Sequence, residues 1–128
     1  MLRFAILEHT GAPDDAVGRH VDLLIETGGS CRTWRLLRVP VAGGESVAAA
    51  EIAPHRLAWL DHVAGEVSGG RGFARRIDAG RCEILSADDA NLAAATQFVV
   101  RLEGRSLVGR LRLETAGEGW AATLVGDD

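Results

Sequence analysis

FVVRLEGRSLVGRLRLETAGEGWAATLV, residues 98–125, decides the fold class. Leu107, Leu111 and Leu113 alternate with Arg110 and Arg112. That period of two gives one apolar face and one wet face, as on a half-buried strand. Glu103-Gly104 and the stretch Ala116-Gly117-Glu118-Gly119 interrupt the pattern as turns. The segment therefore reads as three strands, 98–102, 107–113 and 120–125.

The same punctuation continues towards the N-terminus. Residues 88–95 read as a short helix with Asp88 as N-cap. Residues 73–78 and 82–85 read as two strands joined through Ala79-Gly80. GEVSGGRG, residues 65–72, is a loop. Residues 55–62, with Leu57, Trp59 and Leu60, are expected to be a strand. Residues 46–53 are apolar and Ala-rich, and fit helix or strand equally. Pro40 ends a strand at 31–38, and Gly28-Gly29 turns it back from a strand at 20–27 as a hairpin. A Gly-, Pro- and Asp-containing loop links that hairpin to a first strand at 2–8. Turn signals every ~8–12 residues predict an all-β sandwich or barrel of about 7–9 short strands with one short helix. No repeat, linker or low-complexity segment divides residues 1–128, so a single domain is expected.

Composition narrows the chemistry. The net charge is −4, which argues against a protein that coats nucleic acid without specificity but leaves room for a local basic groove. All 14 basic residues are Arg and there is no Tyr, which removes a lysine nucleophile and a tyrosine acid. Cys31 and Cys82 form no zinc-binding pattern and read as free or buried thiols. No apolar run approaches the ~20 residues that span a bilayer. MLRFAILEHT is charged too early for a signal peptide, so a cytoplasmic location is expected, with no membrane partner.

Four histidines are present, His9, His20, His55 and His62. His20 and Asp22 share one face of their strand, with Cα atoms ~6.6 Å apart. His9 closes the preceding strand. If those two strands are neighbours, His9, His20 and Asp22 meet at one ion with bonds of ~2.0–2.2 Å. Two imidazoles and a carboxylate leave coordination positions open, as a catalytic metal requires. Against this stands a plain structural reading, in which the histidines do not converge. On that reading His9 ends a strand, His62 caps a turn, and His55, after Pro54, lies exposed in a loop.

Five groups of residues carry a resemblance that spans nearly the whole chain. They are Phe4 with Glu8-His9; Arg19-His20, Asp22-Leu23 and Glu26; Thr33-Trp34, Arg38 and Pro40; Arg56-Leu57-Ala58 with Asp61-His62; and Asp78-Ala79-Gly80 followed by LEGRSLVGRLRL at 102–113. In this order they resemble the 3′-phosphoesterase domain of bacterial DNA ligase D. A late Trp120 before the acidic Asp127-Asp128 fits the same pattern.

The resemblance implies a compact β-barrel holding a divalent metal, typically manganese, with zinc or another transition metal as alternatives. It implies metal ligation by His9, His20 and Asp22 and a phosphate contact from His62, so that His62, His9 and Asp22 form the catalytic set. It also implies action on DNA or primer-template 3′ ends, removing a 3′-phosphate or a terminal ribonucleotide, beside separate end-joining ligase and polymerase proteins. The family's Arg two residues after the metal-binding Asp is Leu24 here, and its late Tyr has no counterpart. Metal binding is thus expected to be kept and the phosphate clamp altered, with Arg3, Arg19, Arg35 or Arg38 supplying the cation. The expectation is a metal-dependent phosphoesterase with that altered clamp. The alternative is a degenerate relative that binds metal or nucleic-acid ends without turnover.

Overall fold

In the computed structural model, which describes residues 1–13 and 17–126, the alternating segments form a closed antiparallel barrel. Its strands are β1 Leu2–Thr10, β2 Arg19–Glu26, β3 Cys31–Leu36, β4 Val47–His55, β5 Ala64–Glu66, β6 Phe73–Ala87, β7 Gln97–Gly104, β8 Val108–Ala116 and β9 Gly119–Val125. The pairing order is β1-β2-β3-β4-β9-β8-β7-β6, and β6 returns to β1, so eight strands close with β5 added on β6. Closure removes the open edges that invite pairing with other chains. Residues 14–16, inside the loop after β1, and the Asp127-Asp128 tail lie outside the described residues. Among the described residues no helix is long and apolar enough to cross a membrane.

Three segments differ from the sequence expectation. The first is 73–85, where no turn occurs at Ala79-Gly80 and one 15-residue strand, β6, runs through. Gly80 is a close approach rather than a turn, because a Cβ there would collide with the Glu103 carbonyl of β7. The strand bends instead at register shifts opposite Ile6/Leu7 and at Ile84/Ser86. The second is 88–95, which is not a helix. Asp88 turns its carboxylate onto the Thr96 and Gln97 amides at 2.7 and 3.2 Å, closing the loop on itself. The third is 55–62, where the expected strand is a 3-10 turn, Leu57–Asp61, closed by bonds from Trp59 N–H to the Arg56 carbonyl and from His62 N–H to the Trp59 carbonyl. The one short helical element therefore lies at 57–61. The ambiguous 46–53 segment is strand, and the 65–72 loop opens with β5.

Alternation also sorts the core. Phe4, Ile6, Val21, Leu23, Ile25, Trp34, Leu36, Phe98, Val100, Leu111, Leu113 and Leu124 fill the barrel interior. One end is plugged by Arg32. Its guanidinium lies 5.1–5.3 Å from the rings of Trp34, Phe98 and Trp120 and binds Glu51 through two nitrogens, at 2.7 and 2.8 Å. It also donates to the Leu92 and Ala95 carbonyls, tying the 88–96 loop across the opening.

β1 and β2 are buried on both faces. Ala5, Leu7 and Leu24 point outward, yet they form a second apolar cluster with Cys31 and with Leu60 of the 3-10 turn. That turn is latched to the wall, since Arg3 and Arg76 both donate to the Leu60 carbonyl, at 3.2 and 2.8 Å. A covered outer wall explains why FAIL and HVDLLI are nearly continuous in burial instead of alternating. Cys31 and Cys82 are free thiols, pushed up by burial to about 11 and about 12 respectively, which makes them inert.

Candidate metal centre

β1 and β2 are antiparallel neighbours, with His9 opposite His20 and Leu7 opposite Asp22. Val21, Leu23 and Ile25 take the interior, so His20 and Asp22 project from the outer wall, near the end where β1 leads into β2. The strand pairing brings His9, His20 and Asp22 together, with one ligand atom from each lying within 4.8 Å of the others. Bonds of ~2.0–2.2 Å hold ligand atoms no more than ~4.4 Å apart, so a small side-chain adjustment closes a common shell.

The surroundings of these three groups fit a cation. His20 and Asp22 are only 7% and 4% exposed. His20 Nε2 stands 3.2 Å from Asp22 Oδ2. The other carboxylate oxygen, Oδ1, is buried with no hydrogen-bond partner among the described residues. Arg35 Nε stands 3.6 Å from it, an ion pair longer than a hydrogen bond. A buried carboxylate oxygen left in this state is costly unless a positive centre joins it. His9 Nε2 lies 2.6 Å from the Arg71 carbonyl. A carbonyl only accepts, so Nε2 carries the proton and Nδ1 keeps the ring's free lone pair. Metal-binding histidines are commonly held in this way through the second nitrogen.

Gly72 makes the Arg71 contact available. Its φ of +94° suits glycine, and a Cβ there would strike the Thr10 carbonyl and the Gly11 backbone. The 67–72 loop therefore packs directly on the end of β1 and carries the Arg71 carbonyl to His9.

Two of the three ligand candidates, His9 and Asp22, border a cleft of about 660 Å³, and the buried His20 stands behind them outside its lining. His9, Asp22 and Arg35 line it together with His55, Arg56, Trp59 and Arg71. Among the described residues that line it, three are arginines and one is a carboxylate, so this described lining carries a positive excess although the chain is net acidic. The sequence pattern pointed to Arg35 but not to Arg56, Arg71, His55 or Trp59. These four come from the end of β4, the 3-10 turn and the 67–72 loop, which fold over the outer wall from distant sequence.

Other sequence candidates are placed elsewhere. His62 is half-buried; its Nε2–H donates to the Ala74 carbonyl at 2.9 Å and its ring sits 4.7 Å from Trp59, and it is not among the residues lining the cleft. Arg3 belongs to the far end of β1, ~20 Å along the strand from His9, and binds Asp61 at 2.6 Å. Arg19 is taken up by Glu8 at 2.7 Å. Arg38 is exposed beyond the end of β3 and does not line the cleft. His55, expected in an exposed loop, instead ends β4 in the cleft wall.

Asp78 and Gly104, two residues of the resemblance, are structural. Asp78 is 2% exposed and accepts the amides of Ala79, Arg105, Ser106 and Leu107 at 2.7–3.1 Å. Burial alone would raise its pKa, but the four N–H donors outweigh it and hold the carboxyl below its ordinary value. Gly104 leaves room for that carboxylate, since a Cβ there would press on Asp78 and Phe4.

Compared with known proteins, the chain matches no family model and none of the curated sequences.

Proposed function

We propose that this barrel is a divalent-metal-dependent phosphoesterase acting on the 3′ ends of DNA or primer strands, related to the phosphoesterase domain of DNA ligase D. The observation that carries the reading is the convergence of His9, His20 and Asp22 at the edge of a cationic cleft, with Asp22 Oδ1 buried and without a hydrogen bond. His9 Nδ1, His20 and Asp22 would hold the ion, and manganese suits this donor set, as do zinc and iron. A bound divalent ion supplies Lewis-acid polarisation of a phosphoryl oxygen and acidifies water. Hydrolysis of a terminal 3′-phosphate would join a water oxygen to phosphorus, break the bond to the 3′-oxygen, which takes a proton from that water, and release inorganic phosphate and a 3′-hydroxyl strand.

The protein's own contribution is positioning and charge. Arg35, beside Asp22 on the neighbouring strand, is suited to grip the phosphate that the family holds from the position occupied here by Leu24. Arg71 and Arg56 add positive charge along the cleft. Leu24 itself is wholly buried in the outer apolar cluster and does not line the cleft. A cation reaching the site from another strand favours turnover over the alternative of a degenerate, binding-only relative. End-joining ligase and polymerase proteins are the partners this reading suggests.

The test offers the purified protein, with manganese, a primer-template ending in a 3′-phosphate or a single ribonucleotide. A trimmed product that disappears in His20→Ala and Asp22→Ala is expected. No product from the wild type, or undiminished product from His20→Ala, overturns the enzyme.

A further inference from the structure

We infer that the cleft takes the terminal nucleoside as well as its phosphate, with the base laid against Trp59; the inference rests on the phosphoesterase reading for the identity of the ligand. A volume of about 660 Å³ is far more than a phosphate needs. It lies within the ~300–1,000 Å³ typical of sites for small organic ligands. The cleft is also mixed in chemistry. Asp22, His9 and Arg35 mark one set of lining residues, while Trp59, Pro54, Ile52 and Val67 supply apolar wall.

Trp59 is built as a platform. Its neighbour Leu60 is anchored in the outer cluster, and the Leu60 carbonyl is held by Arg3 and Arg76. His62, outside the cleft lining, backs the indole at 4.7 Å and is itself fixed to Ala74. His55 meets it edge-on at 6.0 Å. A half-buried indole supported in this way, with arginines among the residues lining the same cleft, has the composition of a base-stacking site in proteins that bind single strands. Every base has a π-face, so the site is tolerant of base identity. A base seated on Trp59 has left the duplex stack, so frayed, mismatched or single-stranded ends enter more readily than paired ones.

The experiment measures binding separately from turnover. Adenosine 3′-monophosphate and inorganic phosphate are titrated into wild type, Trp59→Leu and Trp59→Phe by calorimetry without manganese, so that the nucleotide is bound and not hydrolysed. Melting curves establish that each variant is folded. The wild type is expected to bind the nucleotide more tightly than phosphate. Trp59→Leu, which fills the space without a π-face, is expected to weaken nucleotide binding roughly tenfold to a hundredfold and leave phosphate unchanged. Trp59→Phe is expected to retain most of the difference.

Equal nucleotide affinity in wild type and Trp59→Leu, or a nucleotide bound no better than phosphate by the wild type, overturns the inference. Nucleotide binding that depends on Trp59 in a protein that trims no 3′ end upholds this site and refutes the phosphoesterase. Trimming with no dependence on Trp59 in either assay does the reverse.

Discussion

His9 and His20 face each other across the β1–β2 ladder, their ring centroids 4.8 Å apart at an interplanar angle of 75°. Two imidazoles at a directly opposed pair of positions have their spacing set by the backbone ladder, not by flexible loops. Metal binding should therefore stabilise the barrel as a whole. At a hundredfold excess over Kd, manganese is expected to add about 2.7 kcal/mol. That corresponds to several degrees in Tm, read by differential scanning calorimetry. His20→Ala and Asp22→Ala should remove the increment, and a metal-dependent rise that persists in both would place the ion elsewhere.

Gly72 ligates nothing, yet it sets the Arg71 carbonyl against His9 Nε2 at 2.6 Å. Gly72→Ala has to push the loop off the Thr10 carbonyl and lengthen that hydrogen bond. Losing such a support usually costs ~10- to 100-fold in metal affinity. A manganese titration of Gly72→Ala should show that loss with the far-ultraviolet spectrum of the barrel intact. Unchanged affinity would mean that His9 needs no such orientation.

The elements legible in the sequence were those with a wet face. β8 shows its alternation plainly because Arg110 and Arg112 are exposed and Leu111 and Leu113 are not. β1 and β2 were legible as strands, and with them the meeting of His9, His20 and Asp22, because a short loop makes successive strands neighbours. Gly80 misled because a glycine that admits a neighbouring backbone looks in one dimension like a glycine that turns. Trp59 and Leu60 misled because an apolar run covering an outer wall looks like one lining an interior. The cleft roles of Arg56 and Arg71 were beyond reach, since nothing local records that the 3-10 turn covers the outer wall of β1 and β2 and that the 67–72 loop packs on the end of β1.

Arg35 and Leu24 give a test of where the cation is placed. Arg35→Ala should lower kcat/KM on a 3′-phosphate substrate by at least about tenfold, the scale of one charge-assisted contact. Placing an arginine at the position that the ligase D phosphoesterases use, as Leu24→Arg, should not restore it. Leu24 is fully buried beside Ala5, Leu7 and Leu60, so a guanidinium there enters an apolar cluster. The cost should be on the order of 3 kcal/mol or more, measured by urea denaturation. Restored activity at unchanged stability in the double variant would show that position 24 reaches the phosphate after all.

Asp78 joins stability to pH through the turn between β7 and β8. Its carboxylate serves four amides, three of them in residues 105–107, and its pKa in the folded protein is held below the ordinary value. A depressed carboxyl pKa contributes stability that is complete above the unfolded-state value near ~3.9 and is lost as pH falls through the folded value. The wild type should accordingly lose stability between about pH 5 and pH 2, and Asp78→Ala should lose less over the same interval. At neutral pH the variant strands several buried N–H donors, at ~1–3 kcal/mol each, so its midpoint in urea should fall by the equivalent of about 3 kcal/mol or more. If wild type and Asp78→Ala keep a constant stability difference from pH 7 to pH 2, the carboxyl titrates alike in the folded and unfolded chain, and the four amides do not hold its charge.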